Sequence, residues 1–296
     1  MNMPRKPVVV VVGSLHYDIM VDAPDRPRKG ETVTGHAWSP KFGGKGGNQA
    51  VSAAKAGAEV RMAGAVGDDE FGRFLLATLH ALDVDATRVA TLSGIGSGMS
   101  VAISDAGGDY GAVIVSGANL EIDTTAISNA DLWRDAKALI LQNEVPDAVN
   151  LAAARAARNA GATVCLNAAP FRTLPGELAA LVDVLIVNAI EAEELCGRQV
   201  TDLASATDAA RDLLTRFPSV VVTAGGAGVA GMQSGGAPIA LEALPVRLVS
   251  THGAGDAFVG ALVSSLAVGT SFADSLLAAN EAAARHVSTR HEVGGW

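Results

Sequence analysis

The chain has 296 residues, 49% of them hydrophobic, and a formal net charge of −9 at neutral pH. This is enough apolar material for one large α/β domain or two small ones, and the acidic balance argues against nucleic-acid binding through a basic surface. No stretch approaches the ~18 apolar residues that a transmembrane helix needs, and Cys165 and Cys196 form no CxxC pair, so they read as reduced thiols of a cytoplasmic protein.

In chain order, the first predicted element is a strand over residues 8–12, five consecutive valines behind two basic residues. The run is too short for the apolar region of a signal peptide and ends in Gly13-Ser14, so a buried strand is expected. Residues 14–42 break the pattern with Pro24, Pro27 and Pro40 and short extended runs such as 31–35. A glycine-rich stretch then leads into a helix expected over 48–56, followed by a strand at 60–63 and a helix at 70–82. Residues 97–117 read as a hairpin, with strands 99–104 and 111–116 around a turn at Ala106-Gly107-Gly108-Asp109. Beyond it, strands at 138–141, 163–166, 184–187 and 220–223 alternate with helices at 147–160, 191–196 and 204–217. Two helices, 256–268 and 272–288, close the chain. Such alternation predicts an α/β fold with a mostly parallel sheet and helices on both faces. The excursions at 14–42 and 97–117 would add a small second sheet, a candidate lid, within a single domain spanning 1–296.

Several polar and glycine-rich stretches sit where strands end. Gly43-Gly44-Lys45-Gly46-Gly47-Asn48 is neither a P-loop nor a dinucleotide fingerprint. It reads either as a tight turn before a helix or as bare backbone N–H groups which, with Lys45 and Asn48, grip a polyhydroxy ligand. Asp18 lies just past the first strand, where open α/β sheets bind ligands. Asn188 and Glu191 follow the strand at 184–187 one helical turn apart, a spacing that suits either Mg²⁺ held through water or plain helix capping. Thr223-Ala224-Gly225-Gly226-Ala227-Gly228 is a turn that would let a nucleotide approach the backbone. Finally, Gly253-Ala254-Gly255 precedes Asp256 at the start of an apolar helix. Glycines there bare the N–H groups that cradle phosphates, so Asp256 is either a cap or a base beside a phosphate.

The order of these motifs resembles the PfkB family of carbohydrate kinases, most closely its ribokinase branch, from Gly13 to about Thr289. One family signature corresponds to the run from Gly43 to Ala50 and on to Gly67, the other to Ser250-Thr251-His252-Gly253-Ala254-Gly255-Asp256. Gln142-Asn143-Glu144 and Asn188-Ala189-Ile190-Glu191 fall between them. The resemblance implies a ribokinase-like three-layer sandwich with a small β-sheet lid, and ATP-dependent phosphorylation of a sugar hydroxyl. It implies Asp256 as general base and the amides of Gly253, Ala254 and Gly255 as an anion hole. It assigns His16, Asp18, Gly44, Lys45, Asn48 and Glu144 to the sugar. Asn188 and Glu191 would organise Mg²⁺ and phosphates, while Thr223, Gly225, Gly228, Gly255 and Asn280 would line the ATP site, with Asn280 near the base. A homodimer through the lid is implied in the same way, with no nucleic-acid or membrane partner.

Two departures qualify the resemblance. Where ribokinases carry Asn-Ala-Asp, this chain has His16-Tyr17-Asp18. Either His16 makes equivalent hydrogen bonds, or the substrate is another furanose, a sugar derivative or a nucleoside with Tyr17 stacking on its ring. Ser250 replaces an aspartate that ligates a monovalent cation, and a neutral hydroxyl offsets little of the ion's lost hydration. K⁺ activation is therefore expected to be weak or absent, with Arg290 or His291 as alternative sources of positive field. A nucleoside kinase and a non-catalytic sugar-binding regulator on the same fold remain the alternatives.

Overall fold

The five valines form β1 (Val8–Val12), buried on both faces at 0–6% exposure, as the interior of a parallel sheet demands. The structure is a computed structural model that describes residues 6–104 and 110–289. In chain order the remaining strands are β2 (His16–Asp22), β3 (Ala37–Gly43), β4 (Glu59–Gly67), β5 (Val84–Leu92), β6 (Met99–Ser104), β7 (Tyr110–Val115) and β8 (Ala136–Gln142). They continue with β9 (Thr163–Asn167), β10 (Val184–Asn188), β11 (Ser219–Thr223), β12 (Val229–Gln233) and β13 (Ile239–Leu241). The α-helices are α1 (Lys45–Lys55), α2 (Glu70–Ala81), α3 (Thr124–Ile127), α4 (Ala130–Trp133), α5 (Asp147–Asn159), α6 (Gly176–Ala179), α7 (Ala189–Cys196), α8 (Leu203–Leu213), α9 (Ala254–Ala267) and α10 (Phe272–Ser288).

The large sheet has the order β13-β12-β11-β10-β9-β8-β1-β4-β5. It is parallel from β5 to β11, and β12 and β13 extend that edge antiparallel. Side chains of β1 alternate between two cores, as a two-residue period requires. Val8, Val10 and Val12 join Val149 of α5, Ala192 of α7 and Ala206 of α8. Val9 and Val11 join Ala50 of α1, Leu75 of α2, Phe258 of α9 and Leu276 of α10. This is the expected three-layer sandwich.

The two β excursions combine into a four-stranded sheet of order β3-β2-β6-β7, with β2 and β6 parallel and the outer pairs antiparallel. Fully buried Asn119 clips its stems to the body: its amide accepts from Leu15 N and donates to Leu15 O and Ser116 O, each at 2.9 Å. The extended run expected at 31–35 is not a strand. The strand lies at Ala37–Gly43 and tolerates Pro40 because β3 is an edge. Strands β5, β12 and β13 carry no clear sequence signal: charge interrupts β5, glycine interrupts β12, and β13 is only three residues long. The turn at 106–109 and residues Arg290 and His291 lie outside the described residues.

Candidate functional site

The winding of the large sheet reverses between β1 and β8: β4 and β5 flank β1 on one side, β8 to β11 on the other. Open α/β sheets carry their ligand crevice outside the carboxyl ends of the strands at such a point. Polar residues gather there because each buried strand ends in one. Ser14 and His16 follow β1, Asn143 and Glu144 follow β8, and Asn167, Asn188 and Thr223 terminate β9, β10 and β11.

A cavity of about 720 Å³ lies over these strand ends, with Asp18, Met20, Ser100 and Ile114 contributed by the small sheet. Asp18 is buried and accepts from Ser100 Oγ at 2.5 Å. Burial pushes its carboxyl pKa up, against the Ser100 bond and the charges of His16 and Lys41. Gly43 leaves it room, since a Cβ there would lie 2.0 Å from Asp18 Oδ2. Glu144 Oε2 accepts from Ser14 Oγ at 2.5 Å and from the Lys45 backbone N–H at 2.9 Å, with His16 Nδ1 at 4.0 Å. His16 Nε2 and Asn48 Oδ1 are buried without a partner. An unsatisfied buried group costs ~1–3 kcal/mol, so both atoms favour a polar ligand.

The glycine-rich stretch departs from expectation. Helix α1 begins at Lys45, with Gly44 as its N-cap at φ 85°, so Gly46 and Gly47 are helical. Their N–H groups are committed to Ser14 Oγ (3.3 Å) and Ser14 O (2.9 Å). A Cβ at Gly46 would sit 2.6 Å from the Gly13 and Ser14 backbone, and one at Gly47 2.7 Å from the Phe42 ring. These two glycines therefore serve close packing rather than ligand binding. Gly44, Lys45 and Asn48 still line the cavity.

Asp256 lies in the first turn of α9, behind Gly253 as N-cap at φ 80°, and its side chain caps nothing. Its Oδ2 accepts from Asn48 Nδ2 at 3.2 Å and its Oδ1 from Gln49 Nε2 at 2.9 Å. Burial raises its pKa, opposed by the Lys45 charge and by the Gln49 and Asn48 donors. The first N–H groups of a helix lack intrahelical partners, and a Cβ at Gly255 would meet nothing within 4 Å, so the backbone there can be approached. In this conformation the Ala254 N–H turns to Thr251 O at 3.3 Å.

A second cavity of about 630 Å³ shares Thr223, Thr251, Gly255 and Phe258 with the first. Gly225, Gly228, Ala254 and Asn280 line it, together with the apolar Leu244, Val246 and Leu248. A Cβ at Gly225, Gly226 or Gly255 would meet nothing within 4 Å, so the backbone there is open to a ligand. An apolar slot beside bare glycine backbone fits a nucleotide. Asn280 Nδ2 donates to Glu242 O at 2.8 Å, which fixes the side chain against the segment after β13.

Asn188 and Glu191 line the larger cavity but also form a capping box on α7. Asn188 Oδ1 accepts from Ile190 N and Glu191 N, and Glu191 Oε2 accepts from Asn188 N at 2.8 Å. Capping, one of the two expected readings, is therefore present. Burial raises the Glu191 pKa, with the Asn188 hydrogen bond and the Lys45 charge opposing. Among the described residues no three His, Cys, Asp or Glu side chains cluster to cage a metal. The donor set suits a cation that keeps its water.

Tyr17 does not reach either cavity. It alternates with His16 and Asp18 along β2, and its ring stacks on Phe71 of α2 (centroids 4.1 Å, 8° between planes) with Phe74 edge-on at 5.0 Å. Stacking of Tyr17 on a substrate is thus excluded by strand periodicity. Sequence reading also missed Ser14, Gln49, Ser100 and Asn167. Asn167 carried a signal, a polar residue ending a buried strand as Asn188 does, whereas Ser100 had none beyond its place in a hairpin.

A sandwich with two joined cavities meeting at a buried carboxylate defines an enzyme that brings two small molecules together. The chain belongs to the pfkB family of carbohydrate kinases, whose model it matches over residues 6–292, and it transfers a phosphoryl group from ATP to a sugar. It is 32% identical over 285 residues to the ribokinase of Haemophilus influenzae, covering 95% of this chain and 92% of that one. To the ribokinase of Mus musculus it is 35% identical over 263 residues, covering 88% and 81%. Its fold superposes on Arabidopsis thaliana ribokinase complexed with ribose and ATP with a TM-score of 0.89, at 29% identity over 98% of this chain and 95% of the other.

Proposed function

We propose that this kinase phosphorylates a hydroxyl of D-ribose or a closely related pentose, with Asp256 as general base. The observation that carries this reading is the position of Asp256, buried in the larger cavity beside Gly255, where the two cavities meet. Phosphoryl transfer asks mainly for positioning, charge stabilisation and a proton acceptor at the nucleophile. Asp18, Lys45, Asn48 and Glu144 orient the sugar hydroxyls, and His16 supplies the hydrogen bonds that an asparagine would. The raised pKa of Asp256 makes it a stronger proton acceptor than an ordinary carboxylate. The Gly253, Ala254 and Gly255 amides face the transferring group, with the Ala254 N–H released from Thr251 when the phosphate arrives. Thr223, Gly225, Gly228 and Asn280 hold the nucleotide. Asn188 and Glu191 would hold Mg²⁺ through its water, and the ion would supply charge neutralisation on the phosphates. The small sheet acts as a lid and, through its outer face, as the contact of a homodimer.

An ADP-release screen across pentoses, hexoses and nucleosides tests the proposal. D-ribose and related pentoses should give the highest kcat/KM; no turnover with any sugar would end it. A nucleoside acceptor is the second reading. One feature favours it: a side cavity of about 280 Å³ beyond His16 and Glu144, walled by Leu120, Val145, Pro146 and Arg172, has room for an aglycone. Nucleosides outrunning free pentoses in the same screen would establish that alternative. No helix among the described residues is long and apolar enough to cross a membrane; with both cysteines free, we place the enzyme in the cytoplasm as a single catalytic domain.

A further inference from the structure

We infer that Gln49 is a positioning residue for the catalytic base, holding the Asp256 carboxylate both oriented and ionised. The inference rests on Asp256 being the base, as proposed above. Gln49 is fully buried on α1, and its amide nitrogen donates at 2.9 Å to Asp256 Oδ1 and at 2.9 Å to Asn167 Oδ1. An amide nitrogen has two hydrogens, so these two bonds use both. Neither can be kept if the amide flips, because Oε1 would then face two acceptor oxygens. Asn167 is fixed in turn, with its Nδ2 donating to Ile186 O at 3.2 Å. The chain of bonds ties the carboxylate on α9 to the ends of β9 and β10, the strands under the cavity floor. Gln49 Oε1 is buried without a partner, so the side chain tolerates an orphaned acceptor in order to present its donor to Asp256.

The electrostatic role follows from the same contact. Burial, with the Glu144 charge, drives Asp256 toward its protonated form, while the Lys45 charge and the hydrogen bonds donated by Gln49 and Asn48 favour the charged form. Asn48 donates to the other oxygen, at the longer 3.2 Å, and itself lines the cavity. Gln49 does not line it, so the side chain acts through the two cavity residues it holds, Asp256 and Asn167.

The test compares Gln49→Met and Gln49→Glu with the unmodified enzyme by pH–rate profiles and thermal midpoints. Gln49→Met keeps the length and removes the donor. It should move the acidic limb of kcat/KM upward and lower kcat at neutral pH by roughly tenfold or more, as expected for a lost hydrogen bond to a charged group. The KM for ATP should stay unchanged. Gln49→Glu puts a second carboxyl group against the first, and two such groups share a proton, so its limb should move further up than that of Gln49→Met. If Gln49→Met does not fold, the Gln49→Glu limb decides alone. Limbs that stay in place while thermal midpoints fall would make Gln49 a packing residue and overturn the inference. Unshifted profiles combined with normal turnover by Asp256→Asn would instead remove the base assignment itself.

Discussion

Burial is the largest influence on the Asp256 carboxyl and raises its pKa, while the Lys45 charge and the Gln49 and Asn48 donors pull it back. A raised pKa means that protonation sets in at higher pH, so activity that needs the carboxylate is lost earlier as pH falls. The kcat/KM profile should therefore show an acidic limb above the ordinary aspartate value of ~4. Asp18 is raised by burial too, but its role is positional, so the limb should persist in Asp18→Asn. Asp256→Asn should lower kcat by ~10²-fold or more, within the range for loss of a general base, with ATP binding intact and the thermal midpoint moved by a few degrees at most. Near-normal turnover would remove Asp256 from the mechanism. Ser250 carries a separate expectation. Its Oγ accepts from His252 N at 3.2 Å, and it brings no charge to a cation site. Replacing Na⁺ by K⁺ at fixed ionic strength should change the initial rate less than tenfold, equivalent to less than ~1.4 kcal/mol of barrier.

At the level of elements, the site depends on how closely α1 and α9 approach, because one carries Asn48 and Gln49 and the other Asp256. Gly260 on α9 sets that distance: a Cβ there would lie 2.4 Å from Ser52 Cβ and 2.6 Å from Ala53 N. One turn further along, Ser264 Oγ donates to Ala53 O at 3.2 Å. Helix backbone cannot yield as a side chain can, so Gly260→Val must push the helices apart. The expected cost is ~1–3 kcal/mol, read as a lower thermal midpoint, with kcat falling because Asp256 loses its two donors. Gly176→Ala is the control: its added methyl meets nothing within 4 Å, and stability should stay within ~0.5 kcal/mol. A Gly260→Val protein as stable and active as the parent would show that the contact has slack.

For the whole molecule, the small sheet poses a question of exposure. Val113 and Val115 on β7 are 68% and 52% exposed, and Trp38 on β3 is 65% exposed. Both strands are edges. Ile114 lines the cavity, so alternation puts Val113 and Val115 on the opposite face. Exposed apolar edge strands invite pairing with another chain, and the proposed occupant is the same sheet of a second copy. Light scattering should give a dimer for the parent and a monomer for Val113→Lys combined with Val115→Lys. If the lid is shared, the monomer should also lose affinity for sugar. A parent protein that is monomeric at micromolar concentration would refute the arrangement.

What the sequence by itself determined was whatever depends on local periodicity and on the ends of strands. The valines of β1, the alternation of strands and helices, and the polar residues at 188 and 223 were legible because a buried parallel strand is apolar and gives way to polar residues where it ends. Asp256 was legible as either a cap or a base; the motif resemblance favoured the base and added Glu144 and the family. Other features were decided only by tertiary structure. Gly46 and Gly47 look like ligand-binding glycines until the Ser14 backbone and the Phe42 ring are seen packed against them. Tyr17 looks like a substrate contact until strand pairing turns it onto Phe71. The sequence suggests an extended run at 31–35, whereas the strand lies at 37–43 and holds Pro40, which reads as a breaker until the strand is known to be an edge. Gln49 reads as one more polar residue in a helix, and its contact with Asp256 spans 207 positions. Composition and spacing cannot encode a contact made by packing one helix against another, so the partners of the base became visible only when the chain was folded.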